Sequence, residues 1–300
     1  MPRLVRAGHD VVAITRGSSD PYHGAIEWES VRHIELDRTA TERDGSFGRR
    51  IAALDADVIV DLICFETASA KQLVDAVRGK VTLFVHCGTL WVHGVPKSRP
   101  YNETAAREPI GDYGMKKTAI EKYLLDEARA GFPATILHPG HITGAGWAPI
   151  NPAGNLDLHV FEKLAGGEKV ALPDDGLATL QHVHADDVAQ AFELAIRQPC
   201  RAIGESFHVA AEEPITWRED AIGAPAWFDR AADLEFIPWE SWMQTVSERD
   251  AAITSDHIVH SPHASIEKAR TLLGFEPRYT ALEAAADAVA WQSEAGRLKL

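Results

Sequence analysis

The chain has 300 residues, 45% hydrophobic and 25% charged, which suits one globular domain with an extension or two intimate ones. A formal charge of −14 leaves no basic face for nucleic acid or an anionic membrane surface, so neither is expected as a partner. Cys64, Cys87 and Cys200 show no CxxC spacing, and there is neither a membrane-length apolar run nor a signal-peptide pattern; a reducing, cytoplasmic setting is expected, without disulfides or structural zinc.

The opening "PRLVRAGH" reads as the end of a helix running into a strand, "HDVVAITRG" (9–17). "VRHIEL" (31–36) alternates as a second strand and stops at Asp37. "ADVIVDLIC" (56–64) and "KVTLFVHCG" (80–88) are continuous apolar runs, the signature of strands covered on both faces in a parallel sheet. Between them "ASAKQLVDAVRG" (68–79) has helical period. "KKTAIEKYLLDEARAG" (116–131) repeats it, with Ala119, Ile120, Tyr123, Leu124 and Ala128 in one stripe and Gly131 as a stop. "PATILHPG" (133–140) is the next strand, "WAPINPAGNLD" (147–157) a turn-rich loop, "HADDVAQAFELAIRQ" (184–198) a helix and "ESFHVA" (205–210) a strand. The remainder reads as Trp-rich and irregular before "SIEKARTLLGFEP" (265–277).

Alternating strands and helices with short links predict a doubly wound parallel sheet. Such a sheet, when it binds dinucleotides, opens with a strand and a glycine-rich turn whose amides hold the pyrophosphate at a helix N-terminus. The chain shows no such motif. The expectation is either a start placed too far downstream or a natural truncation.

"GDYGMKK" (111–117) sets Tyr113 four residues before Lys117. It is either a helix start that happens to carry an aromatic and a basic residue, or a proton-donating tyrosine with its lysine. One helical turn puts both on the same face, where an ammonium favours the phenolate. Lowering a phenol from about 10 by roughly three units takes about 4 kcal/mol. Such a base needs a hydroxyl partner at a neighbouring strand end, and "HCGTLWVHG" (86–94) offers Thr89, otherwise a turn residue bonding its own backbone. His182, His184, Asp186 and Asp187 crowd together, but a strand end followed by an acidic helix cap accounts for them, and no metal is expected. Cys64 and Cys87 read as buried strand residues.

With those residues in place, the chain resembles an extended short-chain dehydrogenase/reductase of the NAD-dependent epimerase/dehydratase type over essentially its whole length. Thr89 with Gly94 five residues on, the Tyr113/Lys117 pair, "LHPGHITGAG" (137–146), "HVHADDVAQA" (182–191) and "SIEKARTLLGFEPRY" (265–279) carry the likeness. The resemblance implies a Rossmann-type α/β fold with a smaller C-terminal substrate-binding lobe. Residues 1–146 would form the dinucleotide-binding domain, with 176–210 returning to its sheet, and 147–300 mainly the substrate lobe. It also implies that Tyr113 is the acid/base, Lys117 tunes it and holds the nicotinamide ribose, and Thr89 binds the reacting oxygen.

Cofactor contacts are expected from Arg16, Asp37, Leu62, Ile63, Cys64, Lys117, Pro139, Gly140 and Ile142, and substrate contacts from Thr89, Trp91, His93, Tyr113, His141 and Asn155. The strand end "ITRGSS" offers Arg16 and hydroxyls but no carboxylate, which favours NADP over NAD. His138 replaces the usual arginine, His93 the usual tyrosine, and Asp61 stands where many relatives carry histidine. Leu90-Trp91 replaces the Asp-Glu pair of sugar-nucleotide dehydratases, so elimination of water is disfavoured.

The expected activity is NAD(P)-dependent oxidation, reduction or epimerisation of a secondary alcohol or ketone, nucleotide sugars included, by a homodimer formed through helices 68–79 and 116–131. The alternative is a silent binding or regulatory protein on the same fold.

Overall fold

The computed structural model describes residues 1–18 and 24–299. Strands β1 (Val12–Thr15) and β2 (Arg32–Glu35) pair in parallel, Val12 opposite Arg32. Strands β3 (Val58–Asp61), β4 (Leu83–Cys87) and β5 (Ala134–Pro139) join the later β10 (Ser206–Val209) in a parallel sheet of order β10-β5-β4-β3. Val58 faces Leu83, Phe84 faces Ala134 and Ser206 faces Ile136. The protein is a mixed α/β fold of the Rossmann type. Each predicted strand is present and a few residues shorter than its apolar run, because the flanking residues turn out of the ladder.

Alternation along the strands builds two cores. Leu83 and Val85 of β4 face Val188, Ala191, Phe192 and Ala195 of the helix Ala185–Arg197 on one side. Phe84, with Ala134 and Ile136 of β5, faces helices Phe47–Ala52, Thr67–Val77 and Gly111–Arg129 on the other. Leu73, Val74, Val77, Ile120 and Leu124 are buried in that second core. Of the stripe on the helix Gly111–Arg129, Ile120 and Leu124 face the sheet, while Ala119 is exposed and Tyr123 and Ala128 are half-buried.

Strands β1 and β2 sit on a smaller cluster of their own, Val11, Ala13 and Val31 with Met1, Leu4, Val5 and Trp28 around it. Among the described residues β3 pairs with β4 alone and forms the edge of the four-stranded sheet. The opening helix, Pro2–Arg6, is clamped to the far side by Arg3, whose guanidinium forks onto Asp186 at 2.7 Å through both Nε and Nη2.

Between β5 and β10 run β6 (His141–Thr143), β7 (Val170–Pro173), β8 (Thr179–Leu180) and β9 (His182–His184). Beyond β10 the expected irregular stretch is in fact ordered: Leu234–Ile237 is a strand parallel to β7, and helices occupy much of the rest. Helix Glu248–His260 is capped by Ser247, and helix Ala281–Glu294 by a Thr280/Glu283 capping box. Their buried faces are Ala251, Thr254, His257 and His260, and Ala281, Ala284, Ala285 and Ala288. Both faces keep helical spacing, but alanine, threonine and histidine make a weak stripe that stands out little from the rest of the sequence. A further core, Phe161, Leu164, Leu172, Trp242 and Val289 among it, holds this region together.

Candidate active site

Tyr113 lies in the first turn of the helix Gly111–Arg129, which begins earlier than its hydrophobic period suggests. Gly114 explains the glycine after the tyrosine. A Cβ there would stand 3.0 Å from the Trp91 carbonyl oxygen, so its absence lets the helix press against the turn Leu90–His93. That turn follows β4 and is capped by Thr89, whose hydroxyl accepts from the Trp91 amide at 3.3 Å.

The Tyr113 ring is 42% exposed and edge-on to Trp91 at 5.9 Å. Burial of its hydroxyl end raises the phenol pKa, and a hydrogen bond with the Thr89 side chain works against that rise. Thr89 and Tyr113 thus flank the same residue, Trp91, Thr89 at its amide and Tyr113 at its ring. Lys117 is 2% exposed and its ammonium is clasped by two strand-end carbonyls, Cys64 O at 2.9 Å and Cys87 O at 2.8 Å. It also lies 4.7 Å over the Phe65 ring. Burial lowers its pKa, while the neighbouring Cys87, Cys64 and Asp61 pull the other way. Cys64 and Cys87 themselves are pushed up by burial, to about 12 and about 11, which leaves them thiols rather than nucleophiles.

The residues expected to meet a dinucleotide fall at the carboxyl ends of parallel strands, the side on which open α/β sheets bind ligands. Arg16 follows β1 and is exposed; Asp37 follows β2 and caps the helix Arg38–Arg43 through the Ala40 amide. Leu62 and Ile63 follow β3 and are 47% and 57% exposed, while Cys64 beside them is fully buried. Pro139 ends β5, and Ile142 lies in β6. At Gly140 an added Cβ would meet the Gln181 carbonyl oxygen at 2.2 Å, so only glycine lets the β5–β6 turn approach β9. Leu62 and Ile63 thus leave apolar surface exposed just before Cys64, whose carbonyl accepts from the Lys117 ammonium.

Substrate-side residues are less uniform. Trp91 stacks face to face on His260 at 4.0 Å and meets His257 edge-on, and His141 packs between His182 and His257. His93, expected toward substrate, is instead 4% exposed with Nδ1 on the Ala106 carbonyl and Nε2 on His208 Nε2. Asn155 is likewise turned inward: its amide oxygen accepts from Asn151 and from the Asp157 amide, and its nitrogen donates to Thr254. The acidic pair Asp186–Asp187 acts as a clamp. Asp187 accepts from the Arg278 and Tyr279 amides, Asp186 pairs with the Arg278 guanidinium, and His184 stacks on Tyr279. The helix start and the C-terminal signature hold each other.

Phe65, Glu121, His257 and His260 had no place in the sequence reading. Glu121 lies one further turn beyond Lys117 on the face that carries Tyr113, and that spacing was the available signal.

Residues 1–210 match the family model "NAD dependent epimerase/dehydratase family". The chain belongs to that family, one of NAD-dependent enzymes. Among curated proteins of this kind, the 2'-dehydrokanamycin reductase of Streptomyces kanamyceticus is 30% identical over 229 residues, 74% of this chain and 62% of that protein. The chain therefore spans under two thirds of that relative. The chloroplast stem-loop binding protein of 41 kDa b of Arabidopsis thaliana is 24% identical over 95% of this chain and 73% of its own. Among solved structures, the UDP-glucose 4-epimerase of Thermotoga maritima, with UDP-glucose, superposes with a TM-score of 0.70 at 20% identity, covering 98% and 94% of the two chains. The dTDP-glucose 4,6-dehydratase of Bacillus anthracis, in complex with NAD, gives 0.71 at 15% identity over 97% and 91%. These epimerase-family structures share the fold. Among the described residues no helix is long and apolar enough to cross a membrane.

Proposed function

We propose that the protein is an NAD(P)-dependent oxidoreductase or epimerase acting on a secondary alcohol or ketone of a sugar or nucleotide sugar. The arrangement that carries the reading is Thr89 and Tyr113 flanking Trp91 just after β4, whose last carbonyl, that of Cys87, holds the Lys117 ammonium together with that of Cys64. When bound, a nicotinamide supplies or accepts hydride at the substrate carbon. Thr89 would hold the substrate oxygen, and Tyr113 would deliver or remove its proton. Lys117, fixed by two carbonyls, would keep positive charge near the phenol and bond the ribose. Without further charge in the site the phenol favours its protonated form, which suits it to donate, and so to reduce a ketone. Arg16 is the exposed cation available for the 2′-phosphate of NADP. The reductase named for the Streptomyces relative and the epimerase named for the Thermotoga structure support the substrate class.

The likeness to the chloroplast stem-loop binding protein favours a second reading, a binding protein on the same fold, although a charge of −14 gives it no basic face for a stem-loop. One titration separates the two. Fluorescence of the protein with NADH and NADPH, followed by absorbance at the nicotinamide band with UDP-glucose and 2'-dehydrokanamycin as trial substrates, should show binding and turnover. No binding of either dinucleotide would overturn the enzyme reading.

A further inference from the structure

We propose that His138 is the positioning residue for Thr89, acting through a buried chain that runs Thr89–His138–Glu121–Arg107; the proposal rests on the reading of Thr89 as the hydroxyl that meets the substrate oxygen. The Thr89 backbone amide lies 3.0 Å from His138 Nδ1. A backbone N–H can only donate, so Nδ1 presents its lone pair and the ring's proton sits on Nε2. That Nε2–H donates to Glu121 Oε1 at 2.9 Å. A carboxylate can only accept there, so the geometry fixes the same tautomer from both ends of the ring.

The rest of the chain explains why this arrangement is stable. His138 is fully buried and Glu121 is 3% exposed. Arg107 answers the carboxylate with two bonds, Nη2 to Oε1 at 2.7 Å and Nε to Oε2 at 3.0 Å. Its Nη1 is itself anchored on the Glu103 and Ala105 carbonyls at 2.8 Å. Burial works against the Glu121 carboxylate, while the hydrogen bonds from His138 and Arg107 and the Arg107 charge pull its pKa down. Gly88 completes the fit: a Cβ there would stand 2.3 Å from His138 Nδ1, so only glycine lets the ring slide beneath the turn. The chain runs from the helix that carries Tyr113 to the amide of Thr89. It therefore sets the two hydroxyls relative to one another from beneath, without meeting substrate.

The consequence is specific. A second proton on the ring would put an N–H at Nδ1, facing the N–H of Thr89, and the bond would be lost. Long-range 15N–1H spectra of the full-length protein at neutral pH should show the signal that His138→Asn removes in its Nε2–H tautomer. The Thr89 amide should exchange with solvent about tenfold faster in His138→Leu, the loss of one buried hydrogen bond. In His138→Asn it should stay within about threefold of wild type, since Asn Oδ1 stands where Nδ1 does and accepts in its place. An Nδ1–H or doubly protonated ring in the wild type, or unchanged Thr89 exchange in a folded His138→Leu, would overturn the proposal. Should the leucine variant fail to fold, the wild-type spectrum and the asparagine variant decide alone. None of these readouts needs a substrate. Failure of the enzyme reading would show as absent dinucleotide binding with the His138 signature intact, and failure of this proposal as turnover with Thr89 unmoved.

Discussion

Arg38 forks onto Asp61, Nη1 to Oδ1 at 2.6 Å and Nη2 to Oδ2 at 3.3 Å, and so ties the helix after β2 to the carboxyl end of β3. No ladder joins these two strands among the described residues, so side chains carry the connection. Glu42 reinforces it by accepting from Arg38 Nε and from Ser69, and the Arg38 guanidinium rests on Phe47.

Removing one partner of this pair strands the other in a dry site. Asp61 is 5% exposed, so Arg38→Ala should cost about 3 kcal/mol of stability, the usual penalty for a buried charge left alone. Urea unfolding of the two proteins measures it. A loss no larger than that of an exposed ion pair, below about 1 kcal/mol, would show that the contact does not hold the strands together.

Tyr113→Phe should reduce turnover by at least about a hundredfold while leaving the dinucleotide dissociation constant within about threefold, because it removes a proton and not a binding contact. Thr89→Val should lower turnover as well, and Thr89→Ser should keep most of it. Lys117→Met should damage both turnover and dinucleotide binding. Steady-state rates paired with fluorescence titrations separate these patterns, and a Tyr113→Phe protein of undiminished rate would remove the phenol from the chemistry.

Arg16→Ala should weaken NADPH about tenfold and leave NADH nearly unchanged, the signature of a cation that meets only the 2′-phosphate. Parallel titrations with both dinucleotides decide it; equal effects on the two would assign Arg16 to the surface.

Asp220 gives a pH dependence of known sign. It is 1% exposed, both carboxylate oxygens lack partners, and burial raises its pKa from 3.8 to about 7. A raised acid favours the folded state fully below the unfolded pKa and loses that advantage as pH climbs to about 7. Asp220→Asn, which carries no charge at any pH, should therefore gain on the wild type between pH about 4 and about 7, by at most about 4 kcal/mol. Denaturant midpoints compared at the two ends test this, and a constant difference would mean that the carboxyl reaches water.

The site was legible where chemistry follows chain spacing. Tyr113 and Lys117 stand one helical turn apart, Thr89 follows a strand, and the strands announce themselves through apolar runs. What stayed hidden depends on approach in space. Arg107 lies in a loop without period, and only the fold sets it beside Glu121. Lys117 looked free to reach the phenol, yet two strand-end carbonyls claim its ammonium. His93 and Asn155 follow presumed strands and so looked available, whereas ring and amide partners from distant segments absorb them. Helices faced with alanine and threonine, such as Ala281–Glu294 and Glu248–His260, carry only a faint hydrophobic rhythm.

The outer margin of β3 has a further consequence, for what can add to the sheet. Val58, Ile59 and Val60 are only half covered, and the backbone groups on that side have no ladder partner among the described residues. A strand margin without a ladder partner is a surface to which a further strand can add. A strand added there, from this chain or from a second molecule, would complete the ladder of β3 and cover the open sides of Val58, Ile59 and Val60.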